Sequence, residues 1–191
     1  MAALIMGFAA AAGIAPGTAI LDGSAISASM AEAPGIASVV LGNTSAVSIE
    51  GQVRVSHIGD LLDAGGADFI TFEQRAGGGG RFTASLDLNS GRNILALISP
   101  DITNYLAALM APVATGEVMT RDDYLFLVGA VYGPGIAEEI SGAMIRAWID
   151  FPGPIQSVRG GTFSGRRAEF AIPLLDVLVL ETPLSYEVIW R

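Results

Sequence analysis

Two stretches of strict two-residue alternation enclose a stretch of helical spacing, and that order limits what this 191-residue chain can fold into. From Gln52 to Ile58, the side chains of Val53, Val55 and His57 fall on one side and those of Gln52, Arg54 and Ser56 on the other. That is the period of a half-buried strand. Ala67–Arg75 and Arg81–Asn89 continue the theme on either side of Ala76-Gly77-Gly78-Gly79-Gly80, with Phe82, Ala84, Leu86 and Leu88 on one face. Two such runs about a short glycine loop predict a β-hairpin.

The period then changes. Ile102, Tyr105, Leu106 and Leu109 recur at helical spacing after Pro100-Asp101, and Thr120-Arg121-Asp122-Asp123 is a capping box with Asp in place of the usual Glu. It leads into Tyr124-Leu125-Phe126-Leu127-Val128. Gly133-Pro134-Gly135 stops that helix, and a short third helix is expected around 136–141. Alternation returns at Met144. Ile145, Ala147, Ile149 and Phe151 oppose Met144, Arg146, Trp148 and Asp150; Ala168, Phe170 and Ile172 share a face; so do Leu184, Tyr186, Val188 and Trp190. Residues 22–45, rich in Ala, Ser and Gly, read as a weak strand or loop, and 111–116 as a mobile loop. Strands, then helices, then strands predict an α+β fold: an antiparallel sheet of about six to eight strands with two or three helices (residues 92–141) packed on one face. Residues 22–191 read as one domain, with no repeat and no linker.

Composition removes several function classes. At 51% hydrophobic and 15% charged residues the chain is not disordered. Without cysteine it has no disulfide framework, thiolate metal site or cysteine nucleophile. The net charge of -9 argues against binding nucleic acid, which needs a cationic surface to displace counterions.

Residues 1–21 carry no charged side chain. The run Ala2 to Ala12, the helix-breaking Pro16-Gly17 and the small residues Gly17-Thr18-Ala19 read as a signal-peptide-like or anchor segment, although no basic residue precedes the apolar run. A spanning helix needs ~20 apolar residues and remains open, as does a buried segment. Export and membrane association through residues 2–21 are the expectation.

Chemistry is sparse. His57 is the single histidine. Ser56 and Asp60 stand near it in sequence, but Ser56 alternates to the opposite side of the strand, so adjacency makes no dyad. A packed His57 bonded to backbone is the plainer reading. Gly161-Thr162-Phe163-Ser164-Gly165 lacks the spacing of a nucleophile elbow. Asp87-Leu88-Asn89-Ser90-Gly91 reads as a turn, since the far acid of a calcium loop is missing. Asp122-Asp123 and Glu138-Glu139 are placed at helix beginnings, where they complement the macrodipole. No catalytic residue, metal ligand or cofactor is assigned.

What remains is apolar excess. Tyr105, Leu109, Tyr124, Phe126 and Tyr132 exceed what a thin helical layer needs, and Trp148 is an aromatic among charges. Large apolar patches mark binding sites. Tyr105, Phe126 and Trp148 are therefore the expected contacts to an apolar ligand or lipid, with residues 101–132 as lid or wall.

Ala147-Trp148-Ile149-Asp150-Phe151-Pro152-Gly153-Pro154-Ile155, then Gly160-Gly161 and a closing strand ending at Trp190, resembles the pattern of LppM-like bacterial envelope proteins over residues 143–190. The resemblance implies an exported, usually lipid-anchored α+β domain in contact with lipid or glycolipid, although the lipidated cysteine is absent. It carries no catalytic residues. The expected function is that of a non-enzymatic exported or membrane-anchored envelope protein. A serine hydrolase using Ser56 or Ser164 with His57 and Asp60, or a structural module self-associating through an apolar patch, is the alternative.

Overall fold

The computed structural model describes residues 23–45, 48–57, 60, 69–75, 77–91 and 106–191. The chain divides into two compact units, Met1–Gly66 and Ala67–Arg191.

In the first unit, helix α1 (Gly23–Ala31) precedes an antiparallel pair, β1 (Ile36–Ser45) and β2 (Ser48–Val55). The weak strand or loop expected over 22–45 is thus a helix and then a long strand, joined by a turn at Gly35, whose φ of 79° suits glycine. Asn43 Oδ1 accepts a hydrogen bond from the Gly23 N–H at 2.9 Å, and Ser27 Oγ donates to the Val39 carbonyl at 3.2 Å. These bonds tie the helix to the hairpin. Two strands and one helix bury little. Residues 50–57 are exposed on both faces, so the Val53–Val55 stripe read as half-buried is open.

The second unit holds β3 (Ile70–Gln74), β4 (Gly80–Leu86), α2 (Pro112–Thr115), α3 (Arg121–Tyr132), α4 (Pro134–Gly142), β5 (Met144–Asp150), β6 (Ile155–Arg159), β7 (Thr162–Ser164), β8 (Arg167–Pro173), α5 (Leu174–Val179) and β9 (Leu184–Trp190). β3 and β4 form the expected hairpin. One sheet has the order β3-β4-β9-β6, the other β5-β8-β7, and every pairing is antiparallel. The fold is α+β, with nine strands in three sheets among the described residues, where alternation alone read one sheet.

The inner faces of these two sheets share a core. Phe151, Ile155, Ala168, Phe170, Val188 and Trp190 are buried, and Phe72, Phe82, Ala147, Ile149, Ile172 and Tyr186 pack against them. Trp190 lies 5.0 Å from Phe72 and 5.1 Å from Phe151, centroid to centroid. Gly80 is required where β4 passes Trp190, because a Cβ there would overlap the indole.

The helices gather around α5. Thr120 caps α3, its Oγ1 accepting from the Asp123 N–H at 3.1 Å, and Asp122 and Asp123 fall in the first turn as expected. Pro134 starts α4 immediately after α3 ends, which places Glu138 and Glu139 mid-helix and not at its beginning. Residues 111–116, expected as a mobile loop, form the α2 turn: Pro112 takes the first helical position, and Ala111, Pro112 and Val113 are buried. Tyr124 is fully buried and donates its hydroxyl to the Leu109 carbonyl at 3.3 Å. Burial pushes that phenol well above its ordinary value. α5 was not expected from the sequence. Its Leu175, Leu178 and Val179 are buried, and Asp176 binds Arg121 at 3.1 Å.

Candidate binding surface

β5, β8 and β7 lie in continuous register: Trp148 opposes Glu169, which opposes Thr162, and Asp150 opposes Arg167, which opposes Ser164. Directly paired residues share a face of a sheet. The inner face therefore carries Ala147, Ile149, Ala168, Phe170 and Ile172, and the outer face Met144, Arg146, Trp148, Asp150, Arg167 and Glu169. Burial agrees. Ala168 and Phe170 are inaccessible, whereas Trp148 is 56% exposed and Met144 43%.

This outer face is electrostatically mixed. Asp150 and Arg167 form a bidentate pair, Nε to Oδ1 at 2.8 Å and Nη2 to Oδ2 at 2.7 Å. That hydrogen bond, with the charge of Arg167 and of Arg166, holds the Asp150 carboxyl below its ordinary value. Arg166 itself donates through Nε to the Phe151 carbonyl at 2.9 Å, fixing the turn beyond β5. Trp148 stands among these charges as the sequence pattern requires.

Phe126 occupies the face of α3 opposite Tyr124 and Val128, and it is 79% exposed. No ring contact joins it to Trp148 among the described residues; the aromatic pairs there all belong to the buried core. The third expected contact, Tyr105, lies outside the described residues, as does the predicted helix start at 100–101. Residues 1–22, with the leader-like segment, lie outside them too. The structure thus brings two of the three aromatics to the surface but does not assemble them into one wall. Val118 (89% exposed), Ile145 and Phe163 are further exposed apolar side chains that the sequence reading missed. Phe163 was legible only through the β7–β8 register, which places it at the open edge of the inner face.

Ser56 Oγ donates to the Gly35 carbonyl at 3.1 Å. His57, expected to be packed, lies beyond the end of β2 and is exposed, its backbone N–H on the same carbonyl at 3.2 Å. Ser164 belongs to the second unit. Residues 87–91, read from the sequence as a turn, instead open a helix at residue 88 that Asp87 caps: its Oδ1 accepts from the N–H groups of Ser90 and Asn89 and from the Ser90 hydroxyl, which hold its carboxyl below the ordinary value. Among the described residues no group of three His, Asp or Glu side chains could hold a metal, and no helix is long and apolar enough to cross a membrane.

Comparison with protein-family models, with curated proteins and with solved structures returns no match.

Proposed function

We propose that this chain is a non-enzymatic protein of the bacterial envelope, exported or membrane-anchored, that binds lipid or another apolar ligand through side chains of its second unit. The observation that carries this reading is Trp148, an indole 56% exposed on a strand whose inner side is well packed. The other tryptophan, Trp190, is 2% exposed, so the fold has room to bury an indole and leaves this one out. Phe126 adds a second aromatic surface. The leader-like residues 2–21 and the resemblance of residues 143–190 to LppM-like proteins support the envelope setting. Burial at about 25 cal/mol per Å² makes apolar area the driving force. An acidic chain gains nothing from anionic headgroups, so a neutral lipid surface is the favoured target.

The test is co-flotation of the full chain with phosphatidylcholine vesicles, comparing the parent with a Phe126→Ser/Trp148→Ser double variant. The expected result is that the variant binds at least about tenfold more weakly, the loss of part of two aromatic contacts. Equal flotation of the two proteins, or none by either, overturns the reading.

A further inference from the structure

Among the described residues, the outer edge of β5 is an unpaired strand edge. β5 is bonded on one side to β8 and has no strand on the other among the described residues. Two backbone bonds flank the ladder, Phe151 N–H to the Arg166 carbonyl at 2.8 Å and Leu174 N–H to the Ala143 carbonyl at 2.9 Å. They keep the β5–β8 register and fall on odd-numbered residues of β5's side. Hydrogen-bonded and non-hydrogen-bonded pairs alternate in an antiparallel ladder. The odd residues therefore bond to β8, and the N–H and C=O groups of Met144, Arg146, Trp148 and Asp150 point to the open edge.

Proteins blunt such edges with short strands, bulges, prolines or charges. β7, at the opposite end of the same sheet, has only three residues, and β6, an edge of the other sheet, carries a register shift between Ile155 and Ser157. β5 has seven residues in unbroken register and no proline. Its side chains toward solvent are Met144, Arg146, Trp148 and Asp150. Arg146 forms no ion pair or hydrogen bond among the described residues, whereas Asp150 is engaged on its inner side by Arg167.

We propose that β5 pairs antiparallel with β5 of a second copy of this chain, Trp148 opposite Trp148 at the two-fold axis and Arg146 of each copy opposite Asp150 of the other. Charge complementarity selects this register. A shift of the axis to Ala147 sets Arg146 against Trp148 and Asp150 against Met144, leaving Arg146 without a counter-ion. An axis at Arg146 opposes two guanidinium groups. Centred on Trp148, the outward backbone groups of three residues in each copy close about six hydrogen bonds. Asp150 is then bridged between Arg167 of its own chain and Arg146 of the other, and the two indoles lie side by side on one face of a continuous sheet. A two-fold, self-complementary contact of this kind closes at the dimer.

Sedimentation velocity of the full chain tests the pairing, with a dimer at about twice the monomer mass as the expected result. Trp148→Pro removes an N–H that points only to the open edge and leaves the β8 ladder intact; it is expected to run as a monomer. Arg146→Asp, which opposes two carboxylates, is expected to weaken dimerisation at least about tenfold. The chain has no cysteine, so single introduced thiols read the register. Trp148→Cys is expected to cross-link to itself under mild oxidation, since directly opposed residues lie within disulfide range, and Arg146→Cys is not. A monomer throughout, a dimer that survives Trp148→Pro, or cross-linking at 146 as efficient as at 148 overturns the proposal. The pairing does not rest on lipid binding: a monomer that still floats with vesicles defeats the pairing alone, and a dimer that ignores them defeats only the lipid reading.

Discussion

The indole of Trp190 and the phenyl ring of Phe151 meet at 5.1 Å, tilted by 37°, where the two sheets of the second unit face one another. Phe72 also meets the same indole, at 5.0 Å, and Phe82 meets Phe151 edge-on at 5.8 Å. One buried tryptophan thus joins rings from both sides of the core.

Trp190→Ala is expected to destabilise the second unit by about 3–5 kcal/mol, the usual result of removing a large buried aromatic. Trp190→Phe should lose much less, because the buried indole N–H has no acceptor among the described residues, and removing an unsatisfied donor offsets part of the lost area. Urea denaturation followed by circular dichroism checks the ranking.

Thr120→Ala should cost about 1 kcal/mol by stripping the acceptor from the Asp123 N–H at the start of α3. Thr120→Ser, which keeps the oxygen, should be nearly silent. Chemical denaturation of the pair separates the cap from any packing effect.

On the same helix, Phe126→Ser is expected to change stability by no more than about 0.5 kcal/mol, because the ring is exposed. Tyr124→Ala, two positions earlier, should cost about 3–5 kcal/mol, since it empties a fully buried site and leaves the Leu109 carbonyl without its donor. Equal losses at the two positions would contradict the facing of α3.

Asp150 ionises below its ordinary value of 3.8, chiefly through its hydrogen bond to Arg167. A carboxyl depressed in the folded state adds stability that is complete above the unfolded value and fades as pH falls through the folded one. Arg167→Ala is expected to return the Asp150 titration, read by carboxyl-carbon NMR, toward 3.8 and to flatten that acid limb. An unchanged titration would show that Arg167 does not hold the proton off.

Acrylamide should quench one of the two tryptophans freely, since Trp148 is 56% exposed and Trp190 is 2%. Trp148→Phe is expected to leave a blue-shifted, quencher-resistant spectrum. A spectrum that stays red-shifted and readily quenched would place Trp190 at the surface.

Period-two alternation made β5, β8 and β9 legible down to which side chains face inward, because each of those strands has one face on the core and one in water. The Thr120 cap was equally legible, since its chemistry is local. α5 was not. Leu174-Leu175-Asp176-Val177-Leu178-Val179 is a nearly continuous apolar run without helical spacing, and such a run is as compatible with a strand as with a helix when it is buried on several sides. The partition of strands between sheets was hidden for a different reason: which strand pairs β9 is a tertiary choice that no single segment encodes. On the candidate binding surface, the alternation of 144–150 placed Trp148 among charges correctly. Helical spacing alone did not show that Phe126 points away from Tyr124 and Val128, because both faces of α3 carry large apolar residues.

β9 follows both β4 and β6 in the sequence, yet it sits between them. Until residues 184–190 leave the ribosome, those two strands lack their shared neighbour, and the aromatic rings that meet Trp190 stay wet. A nascent chain stalled before Leu184 therefore offers chaperones and proteases two raw strand borders at once.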